Sequence, residues 1–424
     1  MDSKMGPIVD GMPVYIETRT LPELPQRPSQ VRDEGAPAGK RLRAGVARVD
    51  ITPPGPVTMW GFQPRPSAGV HDRLHVRALV LDNGDDRLAI VSIETLHLHG
   101  FEEIERTRRE VHERTGIPAQ NVLLNPTHTH SGYEGPFYEA CVEAVVQAWE
   151  NRKGARIGIG SKMIYGIGSS RRLPSGAGLW ESNQPNPEAA MDNECGVIRV
   201  EDDRRNLIAV VVNYSSHPTV LDGDNTLLSG DYAGIGMAEV EKRLGGGAVA
   251  LFLQGCAGDT GTQTFRKSRT IPEAERLGRR LADEVCDIVQ RVDVTSWVHL
   301  DGRNRMIELP QKGLDPERPP TIPPIVEGKG IRDEIQALVI GDTLILAVGS
   351  MEAYVEIGLS IKKASPFKHT FTLAYSNGPW LGYLPSAHGY AVNDPDAKTT
   401  PFAPEAPHVL AEEALRLACE MGQV

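Results

Sequence analysis

Three apolar runs in this sequence break off within a few residues of a histidine or a carboxylate. NVLLNP (121–126) runs into His128 and His130, LIAVVVNY (207–214) into His217, and TLILAV (343–348) into Glu352. Short continuous runs of Val, Ile and Leu are the mark of strands buried on both faces, which occur where helices cover a sheet. Further apolar stretches at Leu74–Leu81, Leu88–Ile93, Ala248–Gln254, Gln336–Ile340 and Thr370–Tyr375 alternate with amphipathic segments. The pattern predicts an α/β fold of mixed type, with layered mixed sheets flanked by helices.

Helices are predicted where apolar spacing and charge pairing agree. Phe101–Glu113 pairs Glu102 with Arg106 and Glu105 with Arg109 at i,i+4. Phe137–Trp149 and Pro272–Val289 repeat apolar residues at helical spacing, and Thr270 before Pro272 reads as a helix start. Glu356 lies four residues beyond Glu352, which would place both on one face if a helix began there.

Charge and punctuation narrow the function classes. Basic side chains number 45 against 56 acidic ones, a net charge of −11, and no basic cluster suggests a nucleic-acid partner. No apolar run approaches the roughly 18 residues of a membrane span, and the N-terminal residues lack secretory character, so a cytoplasmic protein is expected. Five cysteines without CxxC spacing read as core thiols. Gly158 and Gly160 lack the third glycine of a dinucleotide loop, since Met163 stands there. Residues 1–42 are rich in Pro and charge and read as an arm, with 43–424 as one domain crossed by a Pro-rich connector at about 309–327. No repeat is visible at periods of 20 to 50 residues.

Residues two apart on extended backbone point to the same side, so His128 and His130 can face one pocket. A single histidine after a strand is commonly structural. Histidines and a glutamate at the ends of three strands are the ligand types of a catalytic zinc site, which keeps one position open. Such ligands also suit manganese or iron.

THTHSG (127–132), NYSSHPTVL (213–221), SGDYAG (229–234), FLQGCAGDTG (252–261) and GSMEAYVEIGLSIKK (349–363) followed by LGYLP resemble the neutral/alkaline ceramidase family in its amidase domain, from about Gly45 onward. The resemblance implies a zinc-dependent hydrolase of amide bonds. It implies zinc ligands at His128, His217, Glu352 and Tyr383, a contact from His130 to the reacting amide, and a substrate-contacting arginine at Arg171 or Arg172. Full ceramidases continue into an immunoglobulin-like domain, whereas this sequence stops at Val424.

Two positions depart from the family. Gly261 stands where the ceramidases carry a serine given a nucleophilic role, and Thr260 or Thr262 could replace it only through a shifted loop. A family tyrosine falls on Pro395, with Tyr390 nearby. The expected reaction therefore uses metal-activated water on a small N-acyl amide other than ceramide, with His130 and the arginine stabilising charge or moving a proton. Asp259 is expected either to orient a ligand histidine or to form an Asx turn, and Asp231 either to cap a helix or to act in catalysis. His97 and His99 read as structural or pocket-lining. An esterase or lactonase on the same site and a non-catalytic zinc scaffold are the alternatives. A homo-oligomer is compatible with the sequence.

Overall fold

A computed structural model describes residues 40–174, 180–313 and 330–422, together with a small strand pair, Ile8–Val9 and Met12–Pro13. Most of the arm and most of the Pro-rich connector lie outside the described residues. The mixed α/β class expected from the sequence is the one observed.

Three units of the same topology build the fold. In the first, strands Arg43–Asp50, His75–Asp82 and Arg87–Ile93 pair antiparallel in order, helix Phe101–Thr115 crosses over, strand Val122–Pro126 adds parallel to the third strand, and helix Tyr138–Glu150 follows. The second unit repeats this order with strands Lys153–Met163, Glu194–Asp202 and Leu207–Tyr214, helix Asp231–Leu244, strand Val249–Gln254 and helix Ile271–Arg291. The third does so with Leu300–Leu309, Ile331–Ile340, Thr343–Ala347, helix Val355–Ala364, strand His369–Leu373 and helix Ala406–Met421. The first two units join edge to edge into one eight-stranded sheet through the Lys153–Ala44 and Gly154–Arg43 pairs.

One core holds the three units together. Leu79, Leu81 and Ile90 of the first unit, Ile198, Val211 and Leu253 of the second, and Leu338, Ile345 and Phe371 of the third meet in a single buried cluster. Each unit's other face packs on its own two helices, as in the cluster of Val80, Val91, Val111 and Val145. Burial on both faces explains why the central strands carry unbroken apolar runs.

The topology also sets where chemistry can collect. In each unit the first, third and fourth strands run the same way, so the segments that follow them emerge at one end. Ligands in parallel α/β sheets bind outside the carboxyl ends of the strands for the same reason. Asn125 ties the three ends together: its Oδ1 accepts from Gln254 N at 2.7 Å, and its Nδ2 donates to Ala374 O and Ser376 Oγ, both at 2.9 Å. Arg108 and Glu334 add a buried two-pronged ion pair between the first and third units, at 2.7 and 2.8 Å.

Two local expectations need correction. Glu352 begins a two-residue strand that pairs with Tyr383–Leu384, and the helix starts only at Val355, so Glu352 and Glu356 do not share a helical face. Glu356 instead accepts from Ser386 Oγ. Of the cysteines, Cys141, Cys195 and Cys256 are buried, but Cys286 is half-buried and Cys419 exposed.

Candidate metal centre and its surroundings

The segments at the common end bring His128, His130, His217 and Glu352 together. Glu352 Oε2 lies 2.9 Å from His217 Nε2 and 3.4 Å from His128 Nε2. His130 Nε2 is 3.2 Å from His128 Nε2. All four residues are buried.

Each imidazole is fixed from behind by a main-chain carbonyl. His128 Nδ1 meets Leu96 O at 2.9 Å, His130 Nδ1 meets Gly61 O at 2.8 Å, and His217 Nδ1 meets Ala257 O at 2.6 Å. A ring that donates from Nδ1 keeps its Nε2 lone pair free, which is how proteins orient metal-binding histidines. Trp380 Nε1 holds the other Glu352 oxygen at 2.9 Å, and Glu352 Oε2 is left buried without a hydrogen-bond partner. Burial, the like charge of His128 and then that of His217 hold the His130 pKa well below its ordinary value. Burial and the Arg171 charge push that of His217 down to about 3. Burial opposes ionisation of Glu352, yet the facing His128 and His217 hold its carboxyl well below the usual range.

The backbone is shaped for this arrangement. Gly61 has φ +97°, and a Cβ there would sit 2.6 Å from His130 Nδ1. His128 is itself left-handed at φ 65°, two residues past its strand, and Tyr375 occupies the matching place in the third unit at φ 61°. Non-glycine residues are held in this region only when their surroundings over-determine them.

Adjacent arginines part company here. Arg171 Nη2 donates to Gly258 O at 2.9 Å and Tyr383 Oη at 3.1 Å and lies 3.3 Å from His217 Nε2. Arg172 turns away into a cage of Asp394, Asp396 and the Tyr354 hydroxyl. The arginine beside the imidazoles is therefore Arg171.

Several residues sit otherwise than the sequence suggested. Asp259 orients no imidazole, because main-chain carbonyls fill that role; its Oδ1 accepts from Val355 N at 2.7 Å, at the start of the helix after Glu352. Burial, opposed by that amide, lifts its pKa to about 7. Asp231 accepts from Val220, Leu221 and Tyr232 amides, so it ties the loop after His217 to a helix start. Thr260 Oγ1 donates to Ser215 O at 2.8 Å, and Gly261 keeps its place opposite Ser169. The Tyr390 hydroxyl donates to Phe402 O at 2.8 Å. His99 is exposed, whereas His97 stacks on Trp380 and forms a second possible ligand group with His128 and Glu352.

Sequence reasoning missed Tyr375, Trp380 and Gly61. The Tyr375 ring lies 4.2 Å from that of His128, and its hydroxyl is buried without a partner. A WGF segment beside a His-x-His has no local pattern that signals contact. In Gly61, only the adjacent Trp and Phe hint at a turn.

Three units with a buried His/Glu cluster at their common end define a mixed α/β fold carrying a candidate metal centre. No protein-family model matches the chain. Neutral ceramidase A of Dictyostelium discoideum is 29% identical over 257 residues, 52% of this chain and 36% of that protein. The neutral ceramidase of Mycobacterium tuberculosis is 26% identical over 217 residues, 44% and 33% of the two. The chain thus spans about a third of the length of these curated relatives. The crystal structure of neutral ceramidase from Pseudomonas aeruginosa matches with a TM-score of 0.73 at 19% identity, covering 91% of this chain and 75% of that one. A ceramidase complexed with C2 matches at 0.74, also at 19% identity, over 91% and 76%. The chain is accordingly neutral-ceramidase-like.

Proposed function

We propose that the chain is a zinc-dependent hydrolase cleaving the amide bond of a small N-acyl compound. The main support is the convergence of the buried Glu352 Oε2 on His217 Nε2 and His128 Nε2, two rings whose Nδ1 atoms each meet a main-chain carbonyl. A divalent cation satisfies that oxygen and those lone pairs together, and imidazole with carboxylate is the donor set of catalytic zinc. His128, His217 and Glu352 would hold it, with Tyr383 as the phenol partner. Bound there, zinc supplies Lewis-acid polarisation of a carbonyl and a nucleophile drawn from water at neutral pH. The relatives named as ceramidases support the amide-cleaving class.

The chain's own groups divide the remaining work. Arg171 Nη2 is placed to hold the negative charge that develops on the carbonyl oxygen, and a fixed donor of this kind is worth about 10² to 10³ in rate. His130 Nε2 faces the inner side and can take the proton that the attacking water loses and pass it to the departing nitrogen. Trp380 and the Asp259–Val355 bond fix the Glu352 segment.

Elemental analysis of wild type beside His217→Ala, with hydrolysis of N-acyl amides and matched esters on the same samples, tests this. About one zinc per chain, lost with turnover in the variant, is expected. A metal-free but active wild type would sink the site assignment, and turnover confined to esters would replace the amidase with an esterase.

A further inference from the structure

Arg171 is 5% exposed, yet no carboxylate among the described residues comes within ion-pair distance of it. Its contacts are neutral: Gly258 O, the Tyr383 hydroxyl and, at 3.2 Å, Asn183 Oδ1. Its Nε is buried without any partner. A guanidinium removed from water is costly unless an anion meets it, and Arg172 next door has two. Of the acids around it, Glu352 faces the histidines, and Asp396, which feels the Arg171 charge from beyond ion-pair distance, is bonded by Arg172.

The neighbouring wall is polar and equally unsatisfied. Gly261 lies opposite Ser169, two residues from Arg171 and so on the same face of the ladder. The space that a side chain at 261 would fill is taken by the Gln263 carboxamide, which makes no hydrogen bond with any described residue and whose Oε1 is buried. Thr262 Oγ1 beside it is also buried and unpaired.

We propose that Arg171, through the Nε edge that Nη2 leaves free when it meets the carbonyl oxygen, receives a carboxylate carried by the substrate close to the scissile amide, with Gln263 on the same face of the ladder. The proposal rests on the hydrolase reading above and names its substrate class: N-acyl amides bearing a carboxylate a bond or two from the cleaved C–N bond. Arg171 Nη2 is 3.3 Å from His217 Nε2, so the anion and the reacting carbonyl must be near neighbours in one small molecule. With N-hexanoylglycine, water adds across the amide, the C–N bond breaks, and hexanoate and glycine leave. A carboxylate on the acyl side, as in N-hexylmalonamate, presents the same chemistry from the other direction.

The test compares kcat/KM for N-hexanoylglycine, N-hexylmalonamate and the uncharged N-hexanoylethanolamine, together with calorimetric binding of all three to the zinc-loaded wild type and to Arg171→Ala. At least one carboxylate substrate is expected to lead the ethanolamide by tenfold or more. Its binding should weaken by tenfold or more in Arg171→Ala, while ethanolamide binding changes less than threefold. Gln263→Ala should narrow the preference without abolishing it. Equal or faster turnover of the ethanolamide overturns the substrate class while leaving the hydrolase intact. Absence of turnover on all three sinks the hydrolase instead, and the binding ratios then decide the anion subsite alone: equal affinities in wild type and Arg171→Ala overturn it.

Discussion

Arg171 and Arg172 follow one another on a single strand and meet opposite surroundings. Both guanidinium groups donate to the Gly258 carbonyl, at 2.9 and 3.3 Å, yet beyond it one lies against the imidazoles and the other enters a cage of two aspartates and a tyrosine. The cage sets the Arg172 guanidinium against two carboxylates and the Tyr354 hydroxyl. The imidazole side leaves Arg171 Nε, Glu352 Oε2 and the Tyr375 hydroxyl unmatched. Buried groups left without partners are exceptions in folded proteins, and on the proposed reading these three are among the atoms that a bound ion or substrate would meet.

The largest expected effect comes from emptying the open side of its anion. Glu352→Gln should release the metal and lower hydrolysis by roughly 10³-fold or more, the several kcal/mol that a Lewis acid supplies, while secondary structure by circular dichroism stays intact. Next, the two arginines should separate stability from rate. Arg172→Ala strands two buried carboxylates and should cost about 3–5 kcal/mol in urea unfolding. Arg171→Ala should leave the urea midpoint nearly unchanged and lower kcat about 10² to 10³-fold. The reverse assignment of stability and rate would overturn the contrast between the two arginines.

Gly61→Ala probes how the open side is held from behind. The new Cβ meets the His130 ring in a left-handed backbone, so a loss of about 1–3 kcal/mol and a reduced kcat are expected, measured together by unfolding and turnover. The smallest effect belongs to Asp259→Asn. Burial raises this carboxyl to about 7 in the fold, so the native state binds its proton more tightly than the unfolded chain does. The stability this contributes is present below about pH 4 and is lost as pH rises through about 7. The variant should flatten that slope and keep its hydrolytic rate, since Asp259 orients no imidazole.

The legible and illegible parts of the sequence divide along physical lines. Leu207–Tyr214, Thr343–Ala347 and Val122–Pro126 are buried on both faces, so their apolar runs announced them. The opening strands of the three units were not foreseen. Arg43–Asp50 and Leu300–Leu309 alternate buried with exposed residues, and Lys153–Met163 is rich in glycine because Asp293 O packs against Gly158. Helix Asp231–Leu244 was only suspected, since it meets helix Ile271–Arg291 through small residues, Gly236 against Gly278, that leave little apolar signal. The triple architecture escaped because its units begin at Arg43, Lys153 and Leu300, far beyond the 20 to 50 residue periods of solenoid repeats.

At the site, the histidines and Glu352 stood out because strand ends are where a polar residue interrupts an apolar run. Which of two arginines faces them depends on contacts beyond the Gly258 carbonyl that both share, with residues far away in the chain. The carbonyls of Leu96, Gly61 and Ala257, which hold the rings, come from segments far apart in the chain and leave no mark in the sequence.

Asn125, which binds strand ends from all three units, has a consequence for how the molecule comes into being. A ribosome delivers His128 and His217 long before Glu352 and Tyr383, and the third unit must dock on Asn125 before the four can meet. On the proposed reading a half-synthesised or clipped chain would be inert, and retention of a metal would become a readout of complete assembly.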